Sequence, residues 1–259
     1  RIWRGSNYLG VESSCYGARP VDTWSKDLRN GTFGEIIFKP SEPLPITTAL
    51  TPSQNQLNPN YCDASWAFAV VHALADAELA RSGGKVVRSL SVQALLNCGV
   101  GNCEKGGNPH DALTFINKYG LPEEGCQHYQ AQTPAHESCS AVNNCASCSG
   151  SSIFTQNCSD VKNYKRWKIY NYGSVAGATN MSMQLLNHHA LICGEAASEV
   201  FKNYKGGIMY ENTTLPHINH WVEIVGEGAD YWVGRNSWGT AWGLSGFFKI
   251  KKRSDNLGI

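Results

Sequence analysis

The run Ser65–Arg81, SWAFAVVHALADAELAR, constrains this chain more than any other stretch. It is rich in Ala and Leu, has no Gly or Pro, and stops at Gly83-Gly84, so it predicts a long helix. Its first half is apolar almost all the way round and has no face to give to water. Such a helix must be enclosed, so the rest of the chain has to supply layers around it. Further helices are predicted at Ser91–Asn97, at His110–Tyr119 and, shorter, near Met181–His188; Gly120 and Pro122 stop the second of these. From about residue 190 the pattern turns to strands, at Ala190–Ala196, Trp221–Val225, Tyr231–Arg235 and Phe247–Lys251. Helices first and strands second predict an α+β protein with two lobes. The 259 residues fit one large domain or two lobes sharing an interface.

Two stretches stand apart. Residues 1–45 read as an irregular, extended leader laid over the folded body, punctuated by Gly10, Gly17, Pro20, Gly31, Gly34, Pro40 and Pro43. Residues 124–160 hold Cys126, Cys139, Cys145, Cys148 and Cys158 with little periodicity, and read as a stapled, loop-rich insert. Ten cysteines together with four Asn-X-Ser/Thr sequons, at Asn30, Asn157, Asn180 and Asn212, point to an oxidising, secretory route and to glycosylation. The chain begins at Arg1 and reads as processed or truncated. Lys plus Arg is 22 and Asp plus Glu is 21, a balance that argues against nucleic acid or an anionic membrane surface as partner. No apolar run is long enough to span a membrane.

The chemistry concentrates in three segments. The first is Gln56-Leu57-Asn58-Pro59-Asn60-Tyr61-Cys62-Asp63-Ala64-Ser65-Trp66-Ala67, the second Asn219-His220-Trp221-Val222, the third Arg235-Asn236-Ser237-Trp238-Gly239 followed by Trp242-Gly243. A glutamine, a nucleophile position opening a buried helix, a late histidine and an Asn-Ser-Trp-Gly motif in this order resemble the papain-like cysteine peptidases. The resemblance covers roughly residues 50–258 and is strongest to the cathepsin X/Z subgroup of carboxypeptidases. Gln56 stands nine residues before Ser65, longer than the family's usual spacing by the loop that this subgroup inserts. Cys15-Tyr16, Leu90-Ser91-Val92-Gln93, Cys98-Gly99 and Tyr119-Gly120-Leu121-Pro122 also match. The resemblance implies a helical lobe at about 56–165 and a β-rich, barrel-like lobe at about 166–255. Together they form a peptidase domain, 46–259, behind a propeptide-like leader.

In such a site a thiolate at a helix N-terminus is stabilised by the dipole and by an imidazolium. The histidine moves the proton, the asparagine orients its ring, and the glutamine donates to the oxyanion. By resemblance these roles fall on His220, Asn236 and Gln56. Trp238 would shield the His–Asn contact, and Gly106-Gly107 would lie along the substrate backbone. Two departures matter. Where the family has cysteine, this chain has Ser65, preceded by Asp63 and Ala64. Serine keeps the shape but is a far weaker acid, so it forms no resting ion pair with His220; Asp63 adds a carboxylate that opposes a developing anion. Where the subgroup grips the substrate's terminal carboxylate with a loop histidine, this chain has Leu57.

The family pattern further implies Cys62–Cys103, Cys98–Cys139, Cys126–Cys145 and Cys148–Cys158 disulfides. Sequence alone leaves connectivity open, and Cys139, Cys145, Cys148 and Cys158 have a spacing that zinc would also accept. Disulfides suit the oxidising route better, and no metal or cofactor is expected. Cys15 and Cys193 lack family partners here and are free, paired with each other, or available to another chain. The reading that follows is a catalytically inactive pseudopeptidase, secreted, lysosomal or otherwise luminal. It would serve for binding a peptide in its cleft or as a structural subunit with other protein chains. An active hydrolase or condensing enzyme using Ser65, His220 and Asn236, with Gln56 as oxyanion donor, stays open. So does an inactivated cysteine carboxypeptidase. His72 is expected in the core, and His188, His189 and His217 at the surface.

Overall fold

The structure, a computed structural model, describes residues 14–21, 50–134, 139–152, 154–188, 190–211, 217–252 and 256–259. In chain order the elements are β1 (Ser14–Val21), α1 (Ser65–Arg81), α2 (Val92–Asn97), α3 (Pro109–Tyr119), α4 (Ala141–Asn144), β2 (Ala146–Ser149), β3 (Asn157–Asp160) and β4 (Lys168–Ala176). They continue with α5 (Ala178–His188), β5 (Leu191–Glu195), α6 (Glu199–Lys202), β6 (Ile208–Met209), β7 (His220–Glu227), β8 (Tyr231–Arg235), β9 (Phe247–Lys251) and a closing 3-10 turn at Asn256–Gly258. Seven strands form one sheet in the order β4-β1-β5-β7-β8-β9-β6, and β2 pairs with β3 alone. Only β6 with β9 is parallel.

The helix α1 is enclosed as its composition demands: every residue from Ser65 to Ala80 is buried. Trp66, Phe68, Val70 and Leu74 join Leu95, Leu96, Leu113 and Ile116 of α2 and α3 in one apolar cluster. Burying side chains of this size stabilises by about 1.5–3 kcal/mol each. The other side of α1 lies against β7, behind which Phe201, Val222, Ile224, Trp232 and Phe248 form a second cluster within the sheet. The short helices start where their caps dictate. The Ser91 hydroxyl accepts from Ala94 N–H, and Asn108 Oδ1 accepts from His110 N–H with Pro109 at the first helical position. Gly120, at φ +75°, ends α3.

Residues 14–21, expected to belong to an irregular leader laid over the body, instead form the second strand of the sheet, between β4 and β5. Gly17 and Pro20 obscure the strand in the sequence. Pro20 falls where the pairing with β4 shifts register, between Arg19 and Pro20, the kind of irregularity at which a strand tolerates proline. The rest of the leader and the sequons at Asn30 and Asn212 lie outside the described residues, as does His189. Asn157 and Asn180 are exposed, on β3 and α5. His217 is exposed, while His72 is buried with Nε2 3.0 Å from Gln54 Oε1.

All ten cysteines are bridged: Cys15–Cys193, Cys62–Cys103, Cys98–Cys139, Cys126–Cys145 and Cys148–Cys158. The four cysteines with zinc-like spacing are therefore occupied by sulfur bonds. The insert needs them: β2 and β3 are largely exposed and bury too little to hold themselves, and Cys148 faces Cys158 directly across the pair. The open question of Cys15 and Cys193 resolves as a pairing across β1 and β5, where the two residues stand opposite each other.

Candidate active site

Three elements converge. The N-terminus of α1 delivers Ser65, the start of β7 delivers His220, and the residue after β8 delivers Asn236. Ser65 is 1% exposed and His220 4%. Asn236 Oδ1 lies 2.8 Å from His220 Nε2 and also accepts from Ser237 N–H at 2.7 Å. The second bond fixes the amide's orientation, so an acceptor faces Nε2 and Nε2 carries the proton. The neutral ring then has Nδ1 as its acceptor. Trp238 stacks beside the imidazole with centroids 4.8 Å apart, braced by Phe201 and Trp242. Asn236 Nδ2 is buried without a partner.

Gln56 is held firmly. Its backbone N–H donates to Ser237 O at 2.7 Å, Ser237 Oγ donates to its Oε1 at 2.6 Å, and its Nε2 donates to Cys62 O at 3.0 Å. Tyr129 Oη closes the ring of contacts by donating to Gln56 O at 2.7 Å. One Nε2 proton is thus committed and the second remains. Gly106 and Gly107 form a ledge against Trp66: a Cβ on Gly107 would stand 2.5 Å from the indole, and one on Gly106 would stand 2.8 Å from Asp63 Oδ2. Leu57 is 40% exposed in the loop that follows Gln56, away from the buried trio.

Ser65 Oγ accepts from the backbone N–H of Trp221 at 3.3 Å; among the described residues no hydrogen bond joins it to the His220 ring. Burial, opposed only by the Asn236 bond, lowers His220 to about 4. The imidazole is neutral over the whole physiological range and a weak base.

Two residues to which the sequence assigned no role here border the site. Tyr16 of β1 is buried against the Trp221 ring and the His110 ring, with centroids 6.2 and 6.3 Å apart. The leader strand thereby fills space between α3 and the start of β7. Glu195, directly across from His220 in the β5–β7 ladder, is wholly buried, and among the described residues both its carboxylate oxygens are unpartnered. Burial pushes it well above the carboxylate range. A single charged residue within the apolar run Ala190–Ala196 was the available signal.

These buried groups give a pH dependence of stability. Burial also raises Glu223, to about 8, and lowers His72 well below the usual imidazole value. Above the unfolded carboxylate range the folded state holds extra protons on Glu195 and Glu223, so these groups lose stability as pH rises. His72 and His220 bind fewer protons folded than unfolded below about pH 6.5 and gain stability as pH rises. The two trends oppose each other between about pH 4.5 and 6.5. Above that only the carboxyls act, at about 1.4 kcal/mol per pH unit for each one still protonated. The melting temperature is expected to fall between about pH 6.5 and 8, and Glu195→Gln to flatten its share of the fall. A profile that stays level or rises across that interval contradicts the assignment.

Comparison with known proteins places this arrangement. The papain family cysteine protease profile matches residues 46–259. Cathepsin Z of Onchocerca volvulus is 39% identical over 205 residues, covering 76% of this chain and 64% of that protein. The chain thus spans somewhat under two thirds of that relative's length. Cathepsin J of Rattus norvegicus is 26% identical over 281 residues, covering 98% of this chain and 77% of that one. Among solved structures, the Carica candamarcensis cysteine protease CMS1MS2 in complex with E-64 superposes with a TM-score of 0.64 at 27% identity, over 82% of this chain and 90% of that one. The bromelain protease of Ananas comosus gives 0.65 at 25% identity, over the same shares. With its helices packed on one large sheet and a family profile that runs through Gln56, Ser65, His220 and Asn236, the chain belongs to the papain family and is similar to cathepsin Z.

Proposed function

We propose that this protein is a papain-fold pseudopeptidase, a binding or structural subunit that has lost peptide hydrolysis. The observation that carries the reading is Ser65 itself. Its hydroxyl takes an N–H from Trp221 and has no bond to His220, which burial holds neutral with a value of about 4. A hydroxyl needs a base to take its proton during attack. The base facing it is weak, and Asp63 sets a half-buried carboxylate two residues away. Leu57 offers no cation to a substrate's terminal carboxylate. The five disulfides and the exposed sequons Asn157 and Asn180 support a glycosylated protein of an oxidising lumen or the extracellular space. No helix among the described residues is long and apolar enough to cross a membrane.

The geometry of His220 and Asn236 favours one second reading, an active hydrolase with Ser65 as nucleophile. The ring is oriented by Asn236, its Nδ1 is unbonded, and Gln56 keeps one amide proton for an oxyanion. Hydrolysis of endopeptidase and free-carboxyl-terminal substrates by the parent, Ser65→Ala and Ser65→Cys decides between the two. The expected result is a parent indistinguishable from Ser65→Ala, both silent. A gain in Ser65→Cys then reports that the rest of the site is assembled. A working serine nucleophile would place the parent at least about 10⁴-fold above Ser65→Ala, and that result overturns the pseudopeptidase reading.

A further inference from the structure

Of the departures around Ser65, Asp63 is the one that adds a charge at the cleft. Its backbone is held from both sides: its N–H donates to Cys103 O at 3.0 Å, and its carbonyl accepts from Trp66 Nε1 at 3.1 Å. The preceding Cys62 is bridged to Cys103. The side chain has no comparable anchor. It is partly buried, burial raises its carboxyl, and no hydrogen bond or ion pair among the described residues reaches it. Its Oδ2 lies 2.8 Å from where a Cβ on Gly106 would stand, so the carboxylate covers the glycine ledge. Beside it is the Cys62 carbonyl that holds Gln56 Nε2.

The neighbouring groups do not neutralise it. Lys105, next to Gly106, is exposed and forms no ion pair with it. His220 is neutral and Gln56 is uncharged. Tyr16, packed against Trp221 and His110, brings no charge either. A carboxylate that has lost part of its water and received no cation from the described residues is best satisfied by a cation brought from outside.

We propose that Asp63 makes the cleft beside Ser65 selective for a peptide carrying an arginine or lysine side chain, whose cationic head pairs with the Asp63 carboxylate above Gly106. This rests on the reading that the cleft still takes up peptides. Three observations carry it together: a carboxylate unpaired among the described residues, its place over the glycine ledge, and the lack of any cation facing it among those residues.

The test uses the full chain and its Asp63→Asn variant. The probes are short fluorescent peptides identical except at one position, which holds Arg, Lys, norleucine or Glu and is moved stepwise along the peptide. Asp63 makes no side-chain contact that folding depends on, so Asp63→Asn should melt with the parent. The parent is expected to bind the best-placed Arg and Lys peptides at least tenfold more tightly than norleucine, by anisotropy at low salt. The preference should shrink at high salt and fall below threefold in Asp63→Asn. Equal binding of all peptides, or a basic preference that survives Asp63→Asn, overturns the role of Asp63 and leaves peptide uptake standing. No binding of any peptide to the parent overturns both the selectivity and the uptake it rests on, while the question of hydrolysis is answered separately by the Ser65 series.

Discussion

Arg235→Met is expected to destabilise the protein by about 3–5 kcal/mol, a fall in melting temperature of roughly 10 °C or more for a domain of this size. Arg235 is 1% exposed at the end of β8. Its Nε donates to Glu223 Oε2 on β7 at 2.8 Å, its Nη2 to Asp76 Oδ2 on α1 at 2.8 Å, and its Nη1 to Thr51 O at 2.6 Å. Thr51 in turn gives both its N–H and its hydroxyl to Asp76 Oδ1, at 2.7 and 2.6 Å. One guanidinium thus ties the central helix to two strands and to the chain entering the domain. Burial pushes the Asp76 and Glu223 carboxyls up, and Arg235 is the group that pulls them back down. Methionine keeps much of the volume but strands two buried carboxyls, and that uncompensated burial is the source of the loss. Asn236 follows Arg235 directly, so the substitution also loosens the residue that orients His220. Adding Asp76→Asn and Glu223→Gln should recover part of the loss, because it removes the stranded carboxyls. Equal stability of Arg235→Met and the parent in urea titration would refute the account.

Removing the Cys15–Cys193 bridge is expected to cost about 2–5 kcal/mol, by the restored freedom of the unfolded chain. The bridge joins residues 178 apart, so it closes a long loop, although the four other disulfides already restrict the chain within it. Both cysteines are wholly buried and belong to the sheet-side cluster with Met181 and Leu191. Cys15→Ala leaves Cys193 as a small apolar thiol, which isolates the loss of the bond from the burial of a new polar group. The β1 strand is also hydrogen-bonded on both edges, so it should remain in the sheet at low denaturant while the unfolding midpoint drops. A midpoint that moves by less than about 1 kcal/mol would show that the ladders alone hold β1. The inference has a functional side. Taking β1 away would part β4 from β5 and withdraw Tyr16 from Trp221, so this segment is built into the sheet that carries His220.

Much of the helical architecture was legible because its signals are local. An apolar run without Gly or Pro becomes α1 at Ser65–Arg81, and Gly120 with φ +75° ends α3. The strands at Leu191–Glu195, Tyr231–Arg235 and Phe247–Lys251 announced themselves as apolar runs. By contrast β4 is mostly exposed on both faces and has no clean alternation, and β1 contains Gly17 and Pro20. Neither has a periodicity to read, and both are strands because of what they pair with. The site divides the same way. Gln56, Ser65, His220 and Asn236 were found as motifs, whereas Tyr16 was read only as part of a leader motif with no place at the site, and Glu195 lies in a segment with no motif at all.

The order of residues in this chain by itself determined the enclosed helix, the switch from helices to strands, and the identity of the groups at the site, including the Ser65 hydroxyl that opens α1. Those are properties of composition over a few turns or of short motifs, and no distant contact is needed to see them. Only the tertiary structure decided that Cys15 meets Cys193, that Arg235 pairs with Asp76 and Glu223, that Ser65 bonds to Trp221 rather than to His220, and that Asp63 stands over Gly106 unpaired among the described residues. Each of these turns on partners at least 12 residues apart in sequence. All depend on burial and on a few tenths of a nanometre of packing, which no local pattern encodes.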